Sequence, residues 1–114
     1  LGWIGKNCLL VTPEYGPAIR ISSLLTDAPL ACDESVTESR CKSCSLCVEK
    51  CPAQALKGTL WEAGMHREEI VDVRKCYKKQ TEIMYKETGI RTDLCGKCFA
   101  VCTYTRKYLK KAEL

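Results

Sequence analysis

Cys41-Lys42-Ser43-Cys44-Ser45-Leu46-Cys47-Val48-Glu49-Lys50-Cys51-Pro52 decides the reading of this 114-residue chain. Cys41, Cys44 and Cys47 follow one another at three-residue steps, so one loop can wrap three thiolates around three corners of a metal–sulfur cubane. Cys51 comes after a gap of three residues and is followed at once by a proline. Leu46 to Lys50 reads as one helical turn ended near Pro52, and that turn aims the fourth thiol away from its own loop. The spacing is that of a [4Fe–4S] ligand run.

A second, incomplete run lies further along: Cys95-x2-Cys98-x3-Cys102, with Cys76 well upstream. In two-cluster ferredoxins the fourth cysteine of each run ligates the other cluster. On that rule the count closes at two [4Fe–4S] clusters. Cluster 1 takes Cys41, Cys44, Cys47 and Cys102. Cluster 2 takes Cys51, Cys76, Cys95 and Cys98, with Cys76 standing in for the first cysteine of a standard second run.

Zinc is the competing metal, because Cys-x2-Cys pairs often close a tetrahedral site. Zinc would leave the central cysteine of the first run idle and gives no reason for the Cys51-Pro52 ending. A disulfide framework suits a short secreted chain. Here Lys6, Glu14 and Arg20 interrupt the first twenty residues, and no apolar run reaches signal-peptide or membrane-span length. The chain is read as cytoplasmic, with metal clusters as its staples.

The bulk numbers agree. Hydrophobic residues make up 46% of the chain, but ten of them are cysteines. A thin core remains, of the kind that small scaffolds reinforce with metal. The formal charge of +4 counts the cysteines as neutral. Eight thiolates bring about −8 and two oxidised cubanes about +2 each, which leaves the loaded chain near neutral. The basic excess is therefore poor evidence for a nucleic-acid partner.

Around the cysteines, Ile4 to Val11 and Ile19 to Leu25 read as strands, with Pro13, Gly16 and Pro17 between them as a turn. Residues 32–40 read as a polar loop. Asp72 caps a predicted helix to about Thr88, with Gly89 just past its end. Val73, Tyr77 and Met84 share one face of it, with Cys76 and Ile83 beside them. Gly96 to Val101 reads as a short helix. The C-terminal segment carries an apolar stripe of Tyr104, Tyr108, Leu109 and Ala112, and Arg106, Lys107, Lys110 and Lys111 read as its solvated face. The fold class expected is α+β: a bacterial-ferredoxin-like double-cluster domain with short helices over 32–114. A small strand-containing segment, 1–31, precedes it. The start at Leu1-Gly2-Trp3-Ile4 reads as a piece of a longer protein, and 1–31 as the end of a preceding catalytic-type domain.

Four other residues draw notice. Cys8, in the run Cys8-Leu9-Leu10-Val11, reads as a buried free thiol; Cys32, in the polar loop, reads as exposed. His66, the lone histidine, reads as a surface residue, its alternative being a tuning or proton-handling role. Trp61 reads as core packing. No nucleophile with a partner and no phosphate-binding glycine loop is apparent, so no catalytic residue is assigned.

The cluster half resembles bacterial two-cluster ferredoxins, yet the detached Cys76 and the first forty residues do not fit a free ferredoxin. The whole is similar to the iron–sulfur half of the epoxyqueuosine reductase family, related to reductive dehalogenases. Gly2-Trp3-Ile4-Gly5-Lys6-Asn7, Leu10-Val11-Thr12-Pro13-Glu14-Tyr15-Gly16 and Leu25-Thr26-Asp27-Ala28-Pro29-Leu30 carry that resemblance, with the four-cysteine run and Asp72-Val73-Arg74-Lys75-Cys76. It implies two clusters relaying single electrons to a cobalamin cobalt held mainly by a preceding domain. The implied partners are that catalytic domain or reductase and a low-potential donor such as ferredoxin or flavodoxin. Thr103 departs from the family, replacing a proline often found after the last cysteine, and the sequence carries no match to the helical repeats of tRNA-reducing members, so a tRNA substrate is not expected of it. An electron-relay module of a larger reductase is thus the favoured reading. A self-standing carrier and a metal-stapled structural module are the alternatives.

Overall fold

Trp3, Ile4, Leu10 and Val11 alternate their side chains across a pleat, and this period of two closes the N-terminal segment. The computed structural model describes residues 1–113. In it these residues form strands β1 (Trp3–Ile4) and β2 (Leu10–Val11), antiparallel, with Trp3 opposite Val11 and Ile4 opposite Leu10. Trp3 and Val11 share the inner face and are each 1% exposed. The single strand expected over Ile4 to Val11 is therefore a hairpin. Its tip, Gly5-Lys6-Asn7-Cys8, is closed by the Cys8 N–H donating to the Gly5 carbonyl at 2.9 Å. The Asn7 side-chain oxygen accepts from the Leu9 N–H at 3.2 Å, a local bond that competes with extension.

A second turn joins Thr12 and Gly16 through reciprocal backbone bonds of 3.0 and 2.9 Å. Gly16 has φ +63, and a Cβ there would lie 2.6 Å from the Thr105 nitrogen. Only glycine meets both demands. Gly16→Ala is expected to cost about 1–3 kcal/mol of stability, through the left-handed backbone and the lost close approach. Chemical denaturation of the cluster-loaded chain measures it.

Ile19 to Leu25 is not a strand. Residues 18–37 have no regular secondary structure. The β-branched pattern there meets no neighbouring strand, and a strand without a partner leaves its backbone and apolar side chains in water. Leu24 and Leu25 are 91% and 96% exposed.

Chain order then returns inward. The Ser39 N–H donates to the Trp61 carbonyl at 2.8 Å, and Ala63 and Thr37 pair beside it, clamping the entry to the first cysteine run. Trp61 is only half-buried, so the tryptophan of the core is Trp3. Leu56 bridges Val71, with backbone bonds from Lys57 to Ile70 and from Asp72 to Ala55. Cys51, Ala55 and Val71 form a small buried cluster on which Cys8, Ala53, Leu56 and Cys76 pack.

The helices are α1 (Leu46–Lys50), α2 (Val73–Thr88), α3 (Lys97–Ala100) and α4 (Thr103–Ala112). A single 3₁₀ turn spans Arg67–Glu69. The content is α+β, with one two-stranded sheet and four α-helices among the described residues. As the sequence predicts, Asp72 caps α2 by accepting from the Arg74 and Lys75 N–H groups, and Gly89 ends it at φ +74. The inner face differs from expectation. Cys76, Lys79, Gln80, Ile83 and, as expected, Met84 are half-buried, while Val73 and Tyr77 are exposed. Packing of the Cys76 thiol against the small core sets the helix's rotation, and its hydrophobic residues follow. On α4, Tyr104 meets Trp3 and Tyr108 meets Tyr15, each edge to face at 5.1 Å. Leu109 and Ala112, expected in the same stripe, are exposed, because the hairpin covers only the first two turns.

Candidate metal centres

The loop before α1 brings its thiols together through backbone bonds. The Cys44 N–H donates to the Cys41 carbonyl at 3.0 Å, and Lys42 between them takes the left-handed φ of +50. Cys47 rides on α1. Cys51 follows in extended conformation and is buried, with Pro52 preventing further helix. In the second half, Cys98 rides on α3, Cys95 precedes it, and Cys102 starts α4. Helices α1 and α3 pack side by side, so the two cysteine runs meet.

Two cavities result. One, of about 210 Å³, is lined by Cys41, Cys44, Cys47 and Cys102. The other, of about 330 Å³, is lined by Cys51, Cys76, Cys95 and Cys98. The eight cysteines singled out in the sequence thus divide four and four. The last cysteine of each run faces the cavity of the other.

Electrostatics draws the same grouping around Cys47 and Cys76, and joins the two groups at Cys98. Burial pushes the Cys47 thiol up to about 11, and nearby Cys41 adds to it, with Cys102 and Cys44 contributing less. Burial likewise pushes Cys98 up to about 11, and Cys47 raises it further, with Cys76, Cys95 and Cys51 contributing less. Cys76 is raised by burial, opposed by Gln80, whose amide donates to its sulfur at 3.2 Å; Cys51 and Cys95 raise it further. Since Cys47 bears on Cys98, the two cavities are neighbours.

All ten cysteines are free thiols. Among the described residues no three His, Cys, Asp or Glu side chains gather tightly enough to hold a single ion. Four thiols spread around a cavity suit a bulky inorganic cluster, whose cysteine sulfurs stand further apart than those around one tetrahedral ion. The donor set is all thiolate, which favours iron–sulfur clusters over hard cations.

The raised thiols carry a sign. Raised to about 11, the Cys47 and Cys98 thiols hold their protons at neutral pH, and metal ligation by either would displace one. Iron and sulfide uptake is therefore expected to strengthen as pH rises from about 6 to 9, with measurable proton release in weakly buffered reconstitution. Uptake independent of pH over that range contradicts it.

Cys8 lines neither cavity; it packs on the small core with φ +60. Cys32 is exposed in the irregular segment. His66 is exposed, and its backbone N–H donates to the Glu69 carboxylate at 2.8 Å at the start of the 3₁₀ turn.

Sequence reading passed over the hairpin tip. Lys6 and Asn7 are each 6% exposed. The Lys6 ammonium donates to the Lys42 carbonyl at 2.8 Å and to the Ser45 hydroxyl at 3.3 Å. The Asn7 amide donates to the Cys98 carbonyl at 3.5 Å, and the residue lines both cavities. The signal was a polar pair set inside an apolar run, between Ile4 and Leu9.

No helix among the described residues is long and apolar enough to cross a membrane. No solved structure matches the chain at a significant level. Proteins named epoxyqueuosine reductase are similar to it. That of Bacillus anthracis is 32% identical over 109 residues, covering 90% of this chain and 26% of the relative. That of Listeria monocytogenes is 34% identical over 107 residues, covering 93% and 27%. That of Vibrio cholerae is 32% identical over 115 residues, covering 93% and 28%. The chain spans about a quarter of the length of these curated relatives. Residues 40–105, more than half of the chain, match the 4Fe-4S double cluster binding domain, and the chain belongs to that family.

Proposed function

We infer that this chain is the electron-transfer module of a larger reductase. Cluster 1 is held by Cys41, Cys44, Cys47 and Cys102, and cluster 2 by Cys51, Cys76, Cys95 and Cys98, in a ferredoxin-like arrangement. The observation that carries the reading is the pair of adjoining cavities, each lined by four thiols drawn from both cysteine runs. When bound, such clusters take up and release single electrons. The chain's own residues hold them side by side, keep water from Cys51, and shield Cys98 between the two sites. The proposed compartment is the cytoplasm, and the proposed donor is a low-potential carrier of the ferredoxin or flavodoxin kind.

The similarity to epoxyqueuosine reductases, together with their greater length, supports a catalytic domain that receives the electrons. We take residues 1–31 as the tail of that domain and 32–114 as the cluster domain. Exposed Ile21, Leu24, Leu25 and Leu30 supply apolar surface on the connecting segment for such a neighbour. A corrinoid is the proposed electron acceptor, bound outside this chain. The test is equilibrium binding of cobalamin to the full-length protein and to residues 1–114. Binding to the former and little to the latter is the expected result. Full-length protein that binds no corrinoid, yet exchanges electrons freely with a carrier, points to a self-standing electron carrier.

A further inference from the structure

The two cavities have unlike electrostatic surroundings, to which the hairpin tip contributes Lys6. Lys6, Arg40, Lys42 and Lys107 line the first, and among the described residues no acidic side chain does. Lys79 and Asp93 line the second with opposite charges, amid largely apolar neighbours. Within the cationic set Lys6 stands apart, because its side chain is buried and fixed by the Lys42 carbonyl and the Ser45 hydroxyl. Exposed charges are screened by salt, whereas a buried one is screened much less. Reduction adds one negative charge to a cluster. A fixed ammonium beside it favours the reduced form, and net charge and hydrogen bonding are among the terms that set cluster potentials.

We propose that Lys6 sets the cluster of the first cavity at the higher reduction potential of the two, giving the pair a direction. This rests on the ligand allocation proposed above. With both clusters bound, one electron from a low-potential one-electron donor would pass from the cluster of the second cavity, reoxidising it, to that of the first, reducing it. Lys6 acts by charge and touches no reacting substrate, so it is a positioning residue for the electron. Asn7, lying against both cavities, fills the space between the two sites.

The experiment is a potentiometric titration of the full chain, anaerobically loaded with both clusters and followed by paramagnetic resonance. The unmodified chain is expected to show two one-electron midpoints. Lys6→Met lowers the higher midpoint by about tenfold in its reduction equilibrium, or 59 mV for a one-electron couple, and leaves the lower one in place. Lys6→Arg, which keeps the charge, stays near the unmodified values. No shift, an equal shift of both, or a shift of the lower one alone overturns the proposal. If Lys6→Met retains only one cluster, the survivor must titrate at the lower midpoint, and exposed Lys107→Gln must lower the higher one slightly. A survivor at the higher midpoint overturns the proposal as well. An unmodified chain that never loads two clusters defeats the functional reading instead, and iron counting separates that failure from this one.

Discussion

Complete removal of iron from this chain, by chelator or air, is expected to abolish about half or more of its helical circular dichroism, because little besides the clusters holds its helices. The chain exposes 8799 Å², where a compact monomer of its mass exposes about 6,300 Å². Its radius of gyration is 15.7 Å, against about 13 Å for a compact domain of this length. The buried hydrophobic residues are few: Trp3, Val11, Cys51, Ala55, Ile70 and Val71. No residue of α1, α2 or α3 is buried. Helices α1 and α3 span five and four residues, far short of the ~12–15 at which an isolated helix becomes even marginal. α2 reaches that length with 16 residues, yet it is joined to the small core chiefly through Cys76. Four bonds from metal to sulfur at each cavity would replace the missing apolar burial. An unchanged spectrum after full iron loss would show that the hairpin and the small core suffice, and the stapling role would be wrong.

The second large effect concerns which cluster each cysteine holds. Cys51→Ala is expected to lose the cluster of the second cavity and keep about four of eight irons, although Cys51 belongs to the first run. Cys102→Ala is expected to lose the other. Pairs of substitutions identify which is gone. Cys51→Ala with Cys95→Ala loses no more iron than Cys51→Ala alone, since both strike one site. Cys51→Ala with Cys44→Ala strikes both sites and leaves a chain nearly free of iron. The reason is the turn of α1. Cys47 faces the first cavity, and the change to extended backbone at Cys51 swings the next thiol into the second. Cys8→Ala and Cys32→Ala line neither cavity and keep all eight irons, within about one. Iron lost from Cys8→Ala, or a second cluster intact in Cys51→Ala, contradicts the allocation.

Legibility of the sequence followed how local each determinant is. The extent of α2 was readable because its ends are chemical: Asp72 caps one and Gly89 the other. The range of α1 was readable because Pro52 stops it. The divergence of Cys47 and Cys51 toward different cavities was readable from spacing, since a turn of helix lies between them. What needs a partner was not readable. Ile19 to Leu25 has the side chains of a strand, but strand formation depends on a neighbour that these residues do not meet. The rotation of α2 escaped the periodicity, because one thiol rather than an apolar stripe decides it. The hairpin tip escaped too: Lys6 and Asn7 are polar by type, and only three-dimensional contact with Lys42, Ser45 and Cys98 makes them interior.

Two four-thiol cavities call for two [4Fe–4S] clusters held at once. Native mass spectrometry of anaerobically purified protein, with parallel iron, sulfide and zinc analysis, tests this most directly. The expected result is a single dominant species carrying about eight irons and eight sulfides per chain. A chain that takes up zinc, and no iron even after anaerobic reconstitution with iron and sulfide, would contradict it.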